Sequence, residues 1–232
     1  MATFNLEEIK AKISEEHQIR LRSYAMLDST EDAMKNILLA MLEYYGKPEL
    51  MEAIYTAVKE LAINAVKANM KRVVFQQNRL DINKPEDADQ GHQLFKQRLE
   101  SSGRNMAEFA REAREMGYSV LLDFIPEKDC LLIEIRNNAL ISRDENTRLR
   151  SKLAKSMTYE DIAQFYMDFA DNTEGAGLGM TMITVMLRQN EIDPHCFTIF
   201  NDDIYTIARL EVPMSPDYVP RRRRYKRSLG GM

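Results

Sequence analysis

Apolar positions recur along this chain in two periods, and the places where one period gives way to the other lay out its elements. Over residues 17–26 apolar and polar side chains partly alternate, which predicts a strand. Asp28-Ser29-Thr30-Glu31 then offers a helix start, with Asp28 or Ser29 as cap and acid in the first turn. Met34, Ile37, Leu38, Met41 and Leu42 follow at helical spacing until Gly46 stops the run. Pro48 suits the first turn of a second helix over 49–71, whose buried stripe is Ile54, Val58, Leu61, Ala65 and Ala68.

The polar stretch 83–91 reads as a loop. Two amphipathic helices are predicted after it, over 92–101 and 105–116, the second with Met106, Phe109, Ala110 and Ala113 on one side. Strands are expected at 118–125, 131–137, 196–200 and 205–212, with Asn201-Asp202-Asp203 turning between the last two. Helices over 143–157, 159–169 and 180–188 lie between the strand pairs. This order predicts an α+β fold, a two-layer sandwich of a mixed, mostly antiparallel sheet with helices on one face.

Composition narrows the class. The chain has 232 residues, 44% hydrophobic and 29% charged, as in a soluble globular domain, and no run approaches a membrane span. Two distant cysteines, Cys130 and Cys196, fit a reducing, cytoplasmic setting. The formal net charge of −4 conceals six basic residues at 221–227. Like charges so close together predict a disordered basic tail, residues 217–232. With the other basic residues scattered, nucleic acid is not an expected partner.

Three constellations could carry chemistry. Glu60, Asn64 and Lys67 share one helix face, turned away from the apolar stripe. A carboxylate, an amide oxygen and an ammonium in line suit a metal-bound phosphate chain; an ordinary solvated Glu–Lys face has the same spacing. Glu174-Gly175-Ala-Gly177-Leu178-Gly179 concentrates three of the nine glycines ahead of a helix. Such a segment presents backbone N–H groups to an anion, or simply makes a tight turn. Asn137-Asn138-Ala139 ends a strand in side-chain amides, which a plain turn also favours.

Taken together and in this order, the three motifs resemble the histidine-kinase-like ATPase superfamily, the Bergerat ATP-binding fold shared by gyrase, Hsp90 and histidine kinases. Glu60–Asn64–Lys67 with Ala68 looks like its N box, and Gly175, Gly177, Leu178 and Gly179 match its second glycine box. Asn137 to Ala139 stands where the first glycine box, Asp-x-Gly, belongs. Within the superfamily the front end is most similar to the anti-sigma-factor serine kinases. The resemblance implies a bacterial, signal-transducing ATP-binding domain over 1–216, with Asn64 on magnesium, Lys67 near phosphate and a lid over 142–174. It implies Glu60 as catalytic base and transfer of the ATP γ-phosphate to a serine or threonine of a partner. That partner would be an anti-anti-sigma-like protein or a sigma factor; a second copy of the chain is a further expected partner. A non-catalytic module of the same fold and a histidine kinase catalytic domain are the alternatives.

Two departures bear on this expectation. Asn137 stands where the family has an adenine-binding aspartate, so a charged hydrogen bond becomes neutral, a loss of about 1–2 kcal/mol. Ala139 stands where it has glycine; a positive φ there would add about 1–2 kcal/mol more. Together these predict ATP affinity weakened about 30- to 1000-fold. Residues 72–117 form a helical insertion that either packs on the core or presents a partner surface.

Overall fold

The computed structural model describes residues 6–15, 17–102, 106–159 and 178–229. A short helix α1 (Leu6–Ser14) precedes strand β1 (Ile19–Ser23), helix α2 (Asp28–Tyr44) and the long helix α3 (Met51–Gln77). Helices α4 (Pro85–Ser102) and α5 (Met106–Glu115) lead to strands β2 (Val120–Glu127) and β3 (Cys130–Asn137). Helices α6 (Arg143–Ser156) and α7 (Leu178–Gln189) precede β4 (Phe197–Asn201), β5 (Thr206–Pro213) and a last helix α8 (Arg221–Leu229).

The strands form one sheet in the order β1-β2-β3-β5-β4. Each described pairing is antiparallel, so the mixed sheet expected from the sequence is corrected. β2–β3 and β4–β5 are hairpins, whose short turns allow only antiparallel neighbours, while β1–β2 and β3–β5 pair antiparallel across long helical connections.

Rows across the sheet alternate in character, as a pleat of period two requires. Ile19, Phe124, Ile133, Leu210 and Phe197 form one row, all buried. The adjacent row is Arg20, Asp123, Glu134, Arg209 and Thr198, on the opposite face. There Arg20 clamps Asp123 through two bonds of 2.5 and 2.9 Å, and Arg209 Nε donates to Glu134 Oε1 at 2.8 Å. Burial pushes the Glu134 carboxyl up, but hydrogen bonds from Arg136 and Arg209 outweigh it and hold its pKa below the usual value. At the end of the core-facing rows lie Asn137, Thr206 and Asn201, so the apolar face turns polar there.

Helix α3 crosses the core face, against β3 and β2, with Ile54, Val58, Leu61 and Ala65 buried as the stripe predicted. It runs to Gln77, beyond the expected end at 71, because Val73, Val74 and Phe75 are buried by the insertion. Helices α4 and α5 pack on α3, with Phe109 and Ala113 fully buried. Much of the expected 83–91 loop is helix: Pro85 opens α4, Glu86 and Asp87 favour its first turn, and Gly91 lies against the Phe75 ring.

Two local expectations change. Leu27, not Asp28 or Ser29, precedes α2, and it makes no side-chain cap bond. Gly46, at φ +67°, ends that run as predicted. The basic segment expected to be disordered is helical over Arg221–Leu229, where Arg221 and Arg223 find carboxylate partners that tie the helix to the sheet domain. Arg221 pairs with Glu127, Arg223 Nη2 reaches Asp193 Oδ2 at 2.8 Å, and the Arg221 N–H donates to Glu211 Oε2 at 2.9 Å. Among the described residues no helix is long and apolar enough to cross a membrane. Both cysteines are buried and free, and burial pushes the Cys130 thiol up to about 12.

Candidate functional site

Between α3 and the polar end of the sheet lies a cavity of about 230 Å³. The α3 wall is Leu61, Asn64, Ala65, Ala68 and Arg72, one stripe at helical spacing. Ala65 and Ala68 are short, which leaves room where longer side chains would fill the gap between helix and sheet. Asn137, Ala139 and Thr206 form the facing wall, Glu145 and Leu149 of α6 a side, and Met180 of α7 an edge. The volume falls below the roughly 300–1,000 Å³ of sites for drug-sized ligands.

Beside the cavity the first turn of α7 abuts α3. A Cβ placed on Gly179 would overlap the Glu60 carboxylate, so only glycine allows this approach. The N-terminal end of α7 carries the partial positive charge that favours an anion. Asn64 Nδ2 donates to Glu60 Oε1 at 3.1 Å, which leaves the Asn64 amide oxygen free of that bond. Glu60 and Asn64 thus offer hard oxygens of the kind magnesium takes alongside phosphate oxygens. Among the described residues no three His, Cys, Asp or Glu side chains converge as a metal cage. Glu60 and Asn64 therefore fit a metal shared with phosphate.

The sheet side is a small polar network. Asn137 Nδ2 donates to Asn69 Oδ1 at 3.4 Å and to Ala139 O at 3.2 Å, so its amide oxygen is the acceptor left for a ligand. Thr206 Oγ1 donates to Ala139 O at 2.9 Å and accepts from Ile141 N–H at 3.0 Å. Asn69 Nδ2 is buried with no partner among the described residues. Ala139 is absent from the described residues with positive φ, so the backbone penalty anticipated for it does not arise.

Helix α6 closes one side through a single carboxylate. Ser142 and Glu145 form a capping box, with Ser142 N–H donating to Glu145 Oε2 at 2.9 Å and Glu145 N–H to Ser142 Oγ at 3.3 Å. The same carboxylate pairs with Lys71 Nζ at 2.7 Å and Arg72 Nη2 at 2.8 Å. Burial pushes Glu145 up, but Arg72, Lys71 and the Ser142 backbone together bring its pKa down to about 2. Lys71 moves the other way for its type: burial pulls it below the ordinary lysine value despite Glu145, with Arg72 and Arg148 repelling it. The anion has two cations and a cap, while Lys71 has one anion and two like charges. The net gain of the cluster is carried by the Glu145 end.

The structure brings Asn64, Asn137 and Ala139 to one cavity and sets Glu60 against Gly179 beside it. Lys67 is exposed and does not line the cavity. Leu178 opens α7; Gly175, Gly177 and the lid beyond residue 159 lie outside the described residues. Sequence reasoning missed Thr206, Asn69, Arg72 and Glu145. Ser142-Arg-Asp-Glu145 is a capping-box signature and could have been found. Thr206 pairs across the sheet with Asn137, a register no local pattern shows.

Over 207 residues the chain is 27% identical to a protein of Treponema pallidum (strain Nichols) described as uncharacterized, covering 89% of this chain. The match spans 40% of that relative's length. No family model matches the chain. No solved structure matches it either.

Proposed function

We propose that this chain is a nucleotide-binding regulatory domain of the histidine-kinase-like ATPase type, acting as a serine/threonine kinase on a partner protein. One observation carries the reading. Residues far apart in sequence, matching two separate motifs, meet where Gly179 lies against Glu60, beside a cavity edged by Asn64 and Asn137. In this reading the cavity takes adenine, its amino group meeting the Asn137 amide oxygen. The phosphates run past Asn64 toward the start of α7, where backbone N–H groups and the helix end favour an anion. Magnesium, held by the Asn64 oxygen together with phosphate oxygens, would supply charge neutralisation.

Glu60 acts as general base. It takes the proton of the partner hydroxyl as that oxygen bonds the γ-phosphorus; the bridging P–O bond breaks and ADP departs with its electron pair. Asn64 holds the carboxylate in place through its Nδ2–H bond. The test is calorimetric titration with ATP, with and without magnesium, for wild type and Asn64→Ala. Magnesium-dependent binding lost in the variant supports the reading. Binding absent at millimolar ATP overturns it.

A second reading has its own support in Asn137, an amide where the family has an acid: a non-catalytic module with a weak nucleotide site. ATP binding without phosphate transfer to any protein, in wild type and in Asn137→Asp alike, favours it.

A further inference from the structure

A second concavity, about 830 Å³, opens along the edge strand β4, between it, β5 and helix α8. Half of its lining residues are arginines, with Arg150 from α6, Arg209 from β5, and Arg221, Arg222 and Arg224 from α8. Arg209 is spent on Glu134 and Arg221 on Glu127. The other three have no carboxylate partner among the described residues. Arg150 donates to Asn146 Oδ1 and Ile199 O, and Arg224 to Val219 O. The one carboxylate in the lining, Glu211, is fully buried, holding the Tyr218 hydroxyl and the Arg221 N–H with one oxygen while the other is sealed from solvent.

Rings are interleaved with these cations. Phe200 lies under Arg209, 4.7 Å from guanidinium carbon to ring centroid, and Tyr225 stands 66% exposed at the mouth. The helix that carries Arg222 and Arg224 is held in place: α8 is anchored by Arg221 to Glu127, by Arg223 to Asp193 and by Arg224 over the Tyr218 ring at 4.9 Å. The groove is therefore built by the fold, and the charge expected on a loose tail is fixed on one side of it.

We propose that this groove binds single-stranded nucleic acid, with phosphates on Arg150, Arg222 and Arg224 and a base stacked on Tyr225. An acidic peptide would use the guanidiniums alone; a nucleotide strand uses them and also stacks on an exposed ring. The inference does not rest on the nucleotide reading of the cavity, and its test needs no ATP. It reverses the expectation drawn from sequence, which had no groove on which to place the basic residues.

Three phosphate contacts give a salt slope of about −2 for a single strand, so affinity falls about 20-fold between 50 and 200 mM salt. The experiment is fluorescence anisotropy of labelled dT and rU dodecamers with the full chain, across that range, with an oligo-glutamate dodecamer as competitor. Arg222, exposed and without a described ion pair, is changed to Ala; the fall with salt then drops to about sevenfold. Tyr225→Ala weakens binding about tenfold or more while Tyr225→Phe retains it. Preference between dT and rU tells DNA from RNA. The proposal is overturned if neither oligomer binds at 50 mM salt, or if Arg222→Ala leaves the salt slope unchanged. It is equally overturned if oligo-glutamate competes as an equal and Tyr225→Ala has no effect, the behaviour of a groove for acidic protein.

Discussion

Gly179 and Glu60 are 119 positions apart in the chain, yet no side chain fits between them. This contact joins the start of α7 to the middle of α3 and sets the carboxylate beside the cavity. It makes a sharp test. In Gly179→Ala the new Cβ meets the far end of a flexible side chain, which can swing aside. The fold is expected to survive, with a melting temperature close to wild type. On the proposed reading Mg-ATP raises the melting temperature of the wild type, and in the variant that rise is expected to vanish, because the displaced carboxylate no longer fits beside Asn64 and the α7 terminus. A thermal-shift series with and without Mg-ATP reads both effects.

Asn137→Asp restores an acid to the cavity wall. The orphaned Asn69 Nδ2 is the donor that can absorb it: rotating that amide turns an N–H toward position 137. The variant is therefore expected to fold, and to bind ATP about 5- to 30-fold more tightly, the gain of a charged over a neutral acceptor. Calorimetry checks this; unchanged affinity would remove adenine from the Asn137 side.

Glu145 sets a pH dependence. Its pKa is held down to about 2 in the folded chain, against an ordinary carboxyl value of 4.5. A depressed carboxylate stabilises the fold above its unfolded pKa and loses that contribution as pH falls through the folded value. Discounted for partial solvent exposure, the contribution is about 2 kcal/mol. Urea melts of wild type and Glu145→Gln are expected to differ by that amount at pH 6 and to converge near pH 2. A gap that stays constant with pH contradicts the assignment.

The insertion carries part of the core. Phe109 is fully buried against α3 and its neighbours, so Phe109→Ala is expected to lose about 3–5 kcal/mol in chemical denaturation. A loss below about 1 kcal/mol would mean that the insertion docks loosely.

Much of this architecture was legible in the residues. All five strands were placed to within a few positions, because each alternates or is bounded by turn residues. The stripe of α3 was read residue by residue as far as Ala68. What escaped was set by contacts between distant segments. Val73, Val74 and Phe75 continue α3 only because the insertion covers them. The basic segment at 221–227 looked unable to bury anything; Glu127, Asp193 and Glu211, remote in sequence, give it partners. At the cavity, Asn64 was legible from helix-face spacing, and Asn137 and Ala139 only through the family resemblance. Thr206 could be placed only by strand register, and Glu145 only by its pairing with Lys71 and Arg72.

Strand β3 is paired along its whole length on both sides. Adding or deleting one residue within it, between Ile133 and Asn137, cannot be absorbed by slippage on either flank. Such a change would invert the orientation of all that follows, turning Asn137 out of the cavity and Arg136 into it. Parity along eight residues thus decides what the cavity presents. Length variation is tolerable at the turns that flank this strand, and within it only in steps of two.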